Sequence, residues 1–121
     1  DLASRVSADD LVKMLNHIFS HFDELTKKYR LEKIKTIGDA YMELGDTDKA
    51  AAYYLEAANQ RDNELTTPLF LLKAGQTHEV SGNYNKAIDI YNRIKDKYPK
   101  SQEGRVIDKY LGRATALRDR S

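Results

Sequence analysis

Residues 31–42 read Leu31-Glu32-Lys33-Ile34-Lys35-Thr36-Ile37-Gly38-Asp39-Ala40-Tyr41-Met42, and the fold turns on their conformation. Leu31, Ile34, Ile37, Gly38, Tyr41 and then Leu44 recur at steps of three and four, the spacing that lines one face of an α-helix. A helix over 31–44 is therefore expected. Lys33-Ile34-Lys35-Thr36 also alternates polar and apolar with β-branched residues, as a strand does, so pattern alone leaves the strand open.

Outward from this segment the signals are helical. Gly45-Asp46 breaks the chain, and a helix from Thr47 to about Gln60 carries Ala50, Tyr54 and Ala57 on one face. Arg61-Asp62-Asn63-Glu64 reads as a loop. Thr67 and Pro68 suit the N-cap and first position of a helix reaching about Ser81. Gly82-Asn83 forms the next turn; a fifth helix turns Tyr84, Ala87, Ile88, Tyr91 and Ile94 inward and is stopped by Pro99. A sixth begins after Ser101, with an apolar stripe of Val106, Tyr110, Ala114 and Leu117 and a basic outer face of Arg105, Lys109, Arg113 and Arg118. Upstream, a first helix opens at Ser7, with Asp10 as the capping-box acid, and presents Leu11, Leu15, Ile18, Phe22, Leu25 and Tyr29. Lys27, Lys28 and Arg30 fall in its last turn, where cations complement the helix dipole.

Composition narrows the function classes. The 121 residues fit one domain. Twenty basic and nineteen acidic residues leave a formal charge of +1, too small a field to gather nucleic acid or an anionic membrane. With no cysteine there is no disulfide, thiolate nucleophile or Cys-based zinc site. Apolar runs such as Leu69-Phe70-Leu71-Leu72 fall far short of the roughly 20 residues a bilayer span needs, and no basic-then-apolar leader precedes Asp1, so a soluble, cytoplasmic chain is expected, with no membrane contact and no cofactor.

Aligning glycines exposes an internal repeat. Ile34, Ile37, Gly38, Tyr41, Gly45, Ala50, Tyr54 and Ala57 match Leu71, Ala74, Gly75, His78, Gly82, Ala87, Tyr91 and Ile94 at constant offset, and Pro99 follows. Small residues at 38, 75, 50 and 87 allow close helix approach, while Tyr54 and Tyr91 should fill the wider gap between hairpins. This pattern resembles the tetratricopeptide repeat, which recurs about every 34 residues. Gly75 lies 37 residues after Gly38, placing a three-residue insertion near Asp62. The resemblance covers 31–121 and implies an all-α helical-hairpin array of about six helices: an N-terminal helix within 1–30, repeats at 31–64 and 65–100, and a capping helix at 101–121.

The N-terminal third carries a second resemblance. Asp1-Leu2-Ala3-Ser4-Arg5, Leu15-Asn16-His17-Ile18-Phe19-Ser20-His21-Phe22-Asp23 and the run from Tyr29 to Met42 are similar to class III adenylyl and guanylyl cyclases. That likeness implies a β-hairpin over 31–42, metal binding by Asp39 and adenine selection by Lys35. It also places a second metal-binding aspartate on a strand before Asp1, and an Asn and an Arg later in the chain. After Met42 no cyclase pattern returns. Two-metal phosphoryl transfer needs both carboxylates and a charge-stabilising cation, so catalysis is not expected. Beginning inside one family's domain and continuing as another's array, the chain reads as an engineered or recombined hybrid joined at 37–42.

By the repeat resemblance, an extended peptide from a protein partner would meet Lys35, Asp39, Met42, Leu72, Gln76 and Glu79. The opposing alternative is a cyclase fragment holding nucleotide or metal through Lys35 and Asp39. His17 and His21, four residues apart, have the spacing of a weak metal pair without a third ligand. His78 stands where an aromatic residue packs and has no catalytic partner at motif spacing. Val12, Met14 and Phe19 on the first helix are either core residues or an apolar flank for a homodimer.

Overall fold

A computed structural model describes residues 7–23, 27–60 and 62–121, with the side chains of 19–23 and 27–28 outside that description. Among the described residues there are six helices: α1 (Ala8–Asp23), α2 (Lys27–Glu43), α3 (Thr47–Asn59), α4 (Thr66–Val80), α5 (Tyr84–Lys97) and α6 (Gln102–Arg120). No strand occurs among the described residues. Each helix packs on its neighbours in the chain, and α4 also reaches α6. This is an all-α helical-hairpin array.

The helical reading wins at 31–42 because burial follows the 3.6-residue period. Ile34, Ile37 and Tyr41 are all buried, and they share a face with the half-buried Leu31 and Leu44. Thr36, the β-branched residue that argued for a strand, donates its hydroxyl to the Glu32 carbonyl at 2.7 Å, a bond available inside a helix. The boundary differs from expectation: α2 starts at Lys27, so Lys27, Lys28 and Arg30 belong to its first turn rather than to the last turn of α1. Ser7 does cap α1, accepting from the Asp10 amide at 3.1 Å.

Both hairpins turn in the same way. Gly45 and Gly82 take φ of 84° and 82°. The Asp46 amide donates to the Tyr41 carbonyl at 2.9 Å and the Asn83 amide to the His78 carbonyl at 2.8 Å, closing a Schellman motif in each case. A Cβ at Gly82 would meet nothing within 4 Å, so only backbone conformation resists substitution. Gly82→Ala should therefore cost about 1 kcal/mol, read as a lower urea midpoint with unchanged m-value.

The start of α4 corrects the expected cap. Thr67 and Pro68 lie inside the helix and are buried. Asn63 supplies the cap instead, its Oδ1 accepting from the amides of Leu65 and Thr66 at 2.9 and 2.7 Å, while Thr67 Oγ1 accepts from the Asn63 amide at 3.1 Å. Pro68, third in the helix, sits where an N–H has no intrahelical acceptor. In α6, Ser101 caps Gly104 at 2.9 Å as the sequence suggests. Ala114 of the expected stripe is buried and Tyr110 packs against the core, but Ile107 is buried where Val106 was expected, Val106 being 46% exposed.

The core runs through all five later helices, with Ile37, Leu71, Ala74, Ala87, Tyr91, Ile94, Ile107 and Ala114 almost wholly buried. The tyrosine rings meet the element beyond their own hairpin, Tyr54 at Lys73 and Tyr91 at Tyr110, and also fill space inside it. Tyr54 lies over Gly38 and Tyr91 over Gly75, each within its own hairpin, filling the space that a side chain at the glycine would occupy.

Candidate functional site

One turn of α2 separates Lys35 from Asp39, so the two side chains share a face. Lys35 Nζ lies 2.9 Å from Asp39 Oδ2, and the Tyr54 hydroxyl from α3 donates to Asp39 Oδ1. Burial works to raise the Asp39 pKa, but hydrogen bonds from Tyr54 and Lys35 outweigh it and hold the carboxyl below its usual range. The same bond raises Lys35. Burial, then the adjacent carboxylate, pushes the Tyr54 phenol well above its ordinary value. At neutral pH the group is thus a carboxylate with one oxygen engaged by an ammonium and the other by a phenol.

Beside it, Met42, Tyr54, Lys73, Gln76, Thr77 and Val80 line a cavity of about 190 Å³ between α2 and α4. Lys73 Nζ stands 5.6 Å from the Tyr54 ring centre. The groove offers an ammonium, a primary amide, a thioether and the exposed Val80, a set able to meet a polar backbone and an apolar side chain of an extended segment.

Of the residues singled out in the sequence, Lys35 and Asp39 form the ion pair and Met42 and Gln76 line this groove. Leu72 packs against the core. Glu79, its side chain 8% exposed, accepts from the Tyr91 hydroxyl at 2.8 Å and from Arg113 Nε at 2.7 Å, tying α4 to α5 and α6. Lys73, Thr77 and Val80 were missed, although they follow from Gln76: positions 73, 76, 77 and 80 share one helical face. His17 is exposed, and the side chain of His21 lies outside the described residues. Among the described residues no group of three or more His, Cys, Asp and Glu side chains converges on a point. Val12 packs against the core and Met14 is 39% exposed, while the Phe19 side chain is outside the description. No helix among the described residues is long and apolar enough to cross a membrane.

His78 is buried, as its repeat position implies, and its Nδ1 has no hydrogen-bond partner. Burial, helped by Lys86 and opposed by Asp48, lowers its pKa below the usual 6.5. The unfolded chain then binds the proton more tightly, so this residue's contribution is intact above about pH 6.5 and is lost as pH falls toward the depressed folded value. Thermal melts at pH 7.5 and 5.5 should show a larger loss for the native chain than for His78→Phe.

Two families match the chain. The adenylate and guanylate cyclase catalytic domain model covers residues 1–69 and a tetratricopeptide repeat model covers 70–101. The first match runs past Met42, where the sequence reading ended the likeness. A membrane guanylyl cyclase from Dictyostelium discoideum is 49% identical over 41 residues, covering 34% of this chain and 3% of that protein. An adenylate cyclase from Mycobacterium tuberculosis is 50% identical over 40 residues, 33% of this chain and 9% of its own. The rat guanylate cyclase soluble subunit beta-2 is 51% identical over 35 residues, 29% and 5% respectively. The chain thus spans less than a tenth of these relatives. No solved structure matches it.

Proposed function

Because 69 of its 121 residues match that domain, the chain belongs to the adenylate and guanylate cyclase catalytic domain family; from this premise we propose that it acts as a non-catalytic helical-repeat scaffold, a recombined hybrid in which the array has taken over the cyclase string. The observation that carries this reading is the Lys35–Asp39–Tyr54 group. The two residues that the resemblance assigns to base selection and metal binding lie on one helix, and both oxygens of the carboxylate are engaged by side chains of the array. A metal binding at Asp39 would compete with two donors that already stabilise the charge of its carboxylate.

In this reading the working surface is the groove between α2 and α4. Lys73 and Gln76 meet the polar groups of an extended peptide from a protein partner, and Met42 and Val80 meet its apolar side chains. The groove is short, so a single chain binds such a peptide modestly.

Calorimetry of the chain with ATP and Mn²⁺, alongside NMR with ATP and Mg²⁺, tests the non-catalytic assignment. No saturable heat and no shift at Lys35 or Asp39 is expected. Saturable binding centred on those two residues, and lost in Asp39→Asn, would instead assign a cyclase fragment with nucleotide affinity. The binding surface is tested by selecting displayed peptides on the chain. Lys73→Ala should weaken the selected peptides about tenfold, and an unchanged affinity would remove the groove from the account.

A further inference from the structure

The two hairpins correspond residue for residue at the 37-residue spacing, and they part company on the side away from the peptide groove. In the first, the Tyr41 and Tyr53 rings stack with centroids 5.6 Å apart and planes at 14°, and Lys49 Nζ stands 5.2 Å from the centre of the Tyr41 ring. The equivalent positions in the second hairpin hold His78, Ile90 and Lys86. An imidazole and a branched aliphatic chain replace two phenols, while the cation is kept. There the structure has a cavity of about 460 Å³ between α3 and α5, lined by Asp48, Leu55, His78, Lys86, Asp89 and Ile90. A void of about 150 Å³ suffices for benzene, so this one has room for a ring and the methylene that carries it.

The floor and rim give the missing group its chemistry. His78 is 8% exposed and lies at the floor of the cavity. Asp48, Lys86 and Asp89 are exposed, and among the described residues neither carboxylate forms an ion pair. Elsewhere this molecule repeatedly pairs a phenol hydroxyl with a carboxylate: Tyr54 with Asp39, Tyr91 with Glu79 and Tyr98 with Asp62.

We propose that the cavity between α3 and α5 receives a tyrosine side chain from a partner protein, its ring resting on His78 beside Ile90, which leaves more room than the Tyr53 ring at the same position of the first hairpin. Lys86, Leu55 and Ile90, which line the cavity, flank the ring, and its hydroxyl donates to Asp48 or Asp89 at the rim. The site does not depend on the groove between α2 and α4.

The test follows the methyl signals of Leu55 and Ile90 and the ring signal of His78 while the full chain is titrated with N-acetyltyrosinamide. Saturable shifts with a Kd on the order of millimolar are expected, with N-acetylleucinamide at least about tenfold weaker. Ile90→Tyr rebuilds the aromatic pair and should abolish the shifts. Lys86→Ala, which leaves the core untouched, should weaken binding about threefold. Absence of saturation, or equal binding of the leucine probe, overturns the proposal. Saturation by p-cresol without saturation by N-acetyltyrosinamide overturns the partner assignment in favour of a small phenol.

Discussion

Tyr91→Ala should lower the free energy of unfolding by about 4 kcal/mol, the largest loss expected from any single substitution discussed for this chain. The residue is fully buried, and its ring fills the space above Gly75. Its hydroxyl donates to Glu79 Oε1 at 2.8 Å, and Glu79 is held in turn by Arg113 from α6. Truncation therefore opens a cavity and cuts a bond that ties α4, α5 and α6 together. Tyr91→Phe keeps the ring and loses only that bond, so it should cost about 1 kcal/mol. Urea unfolding of both variants separates the two contributions, and similar losses would mean that the hydroxyl, not the ring, carries the stability. Against a total of roughly 5–15 kcal/mol for a domain, the alanine variant gives up a large share.

Gly75→Ala should cost about 2 kcal/mol, whereas Gly38→Ala should be close to neutral. A Cβ at Gly75 would lie 2.4 Å from Tyr91 Cε1 and 2.9 Å from Cδ1, while one at Gly38 would lie 3.0 and 3.2 Å from the same atoms of Tyr54. The Tyr91 ring cannot swing away without breaking its bond to Glu79, and Tyr110 packs near it at 5.7 Å between centroids. Overpacking of this kind costs about 1–3 kcal/mol, and the better helix propensity of alanine returns about 0.5–1 kcal/mol at either position. At Gly38 the two effects nearly cancel. The same change made in a Tyr91→Ala background should lose its penalty, because the clash has gone. A penalty that persisted there would place its origin in the backbone.

The array was legible where one force acted on the pattern. Gly45 and Gly82 announced identical turns because few other residues take their φ, and Ile34, Ile37 and Tyr41 announced a face because burial follows spacing. The α1–α2 boundary was not legible: the cations of 27–30 suit the end of one helix by their charge, yet the chain places them at the start of the next. At α4, Thr67 and Pro68 carried a standard start signal, but Asn63 reached the first amides from outside the helix, a bond that depends on loop geometry. Of the six residues named for a peptide groove, Met42 and Gln76 line the cavity and Lys35 and Asp39 pair with each other beside it. Glu79 sits four residues before Asn83 and near the end of α4, where α6 captures it through Arg113, a contact between positions 34 apart that no local pattern encodes. The unpartnered Nδ1 of His78 was equally invisible, since a sequence shows that an aromatic has been replaced and not what then fails to fill the space.

The segment that both resemblances claim decides between them. Backbone carbon chemical shifts across Lys27–Glu43 in solution should be helical without interruption, which places Lys35 and Asp39 one turn apart on a face of the array. Extended shifts through 33–37, followed by a turn at Gly38 and Asp39, would mean that the cyclase hairpin persists, and would contradict both the scaffold reading and the first repeat on which it rests.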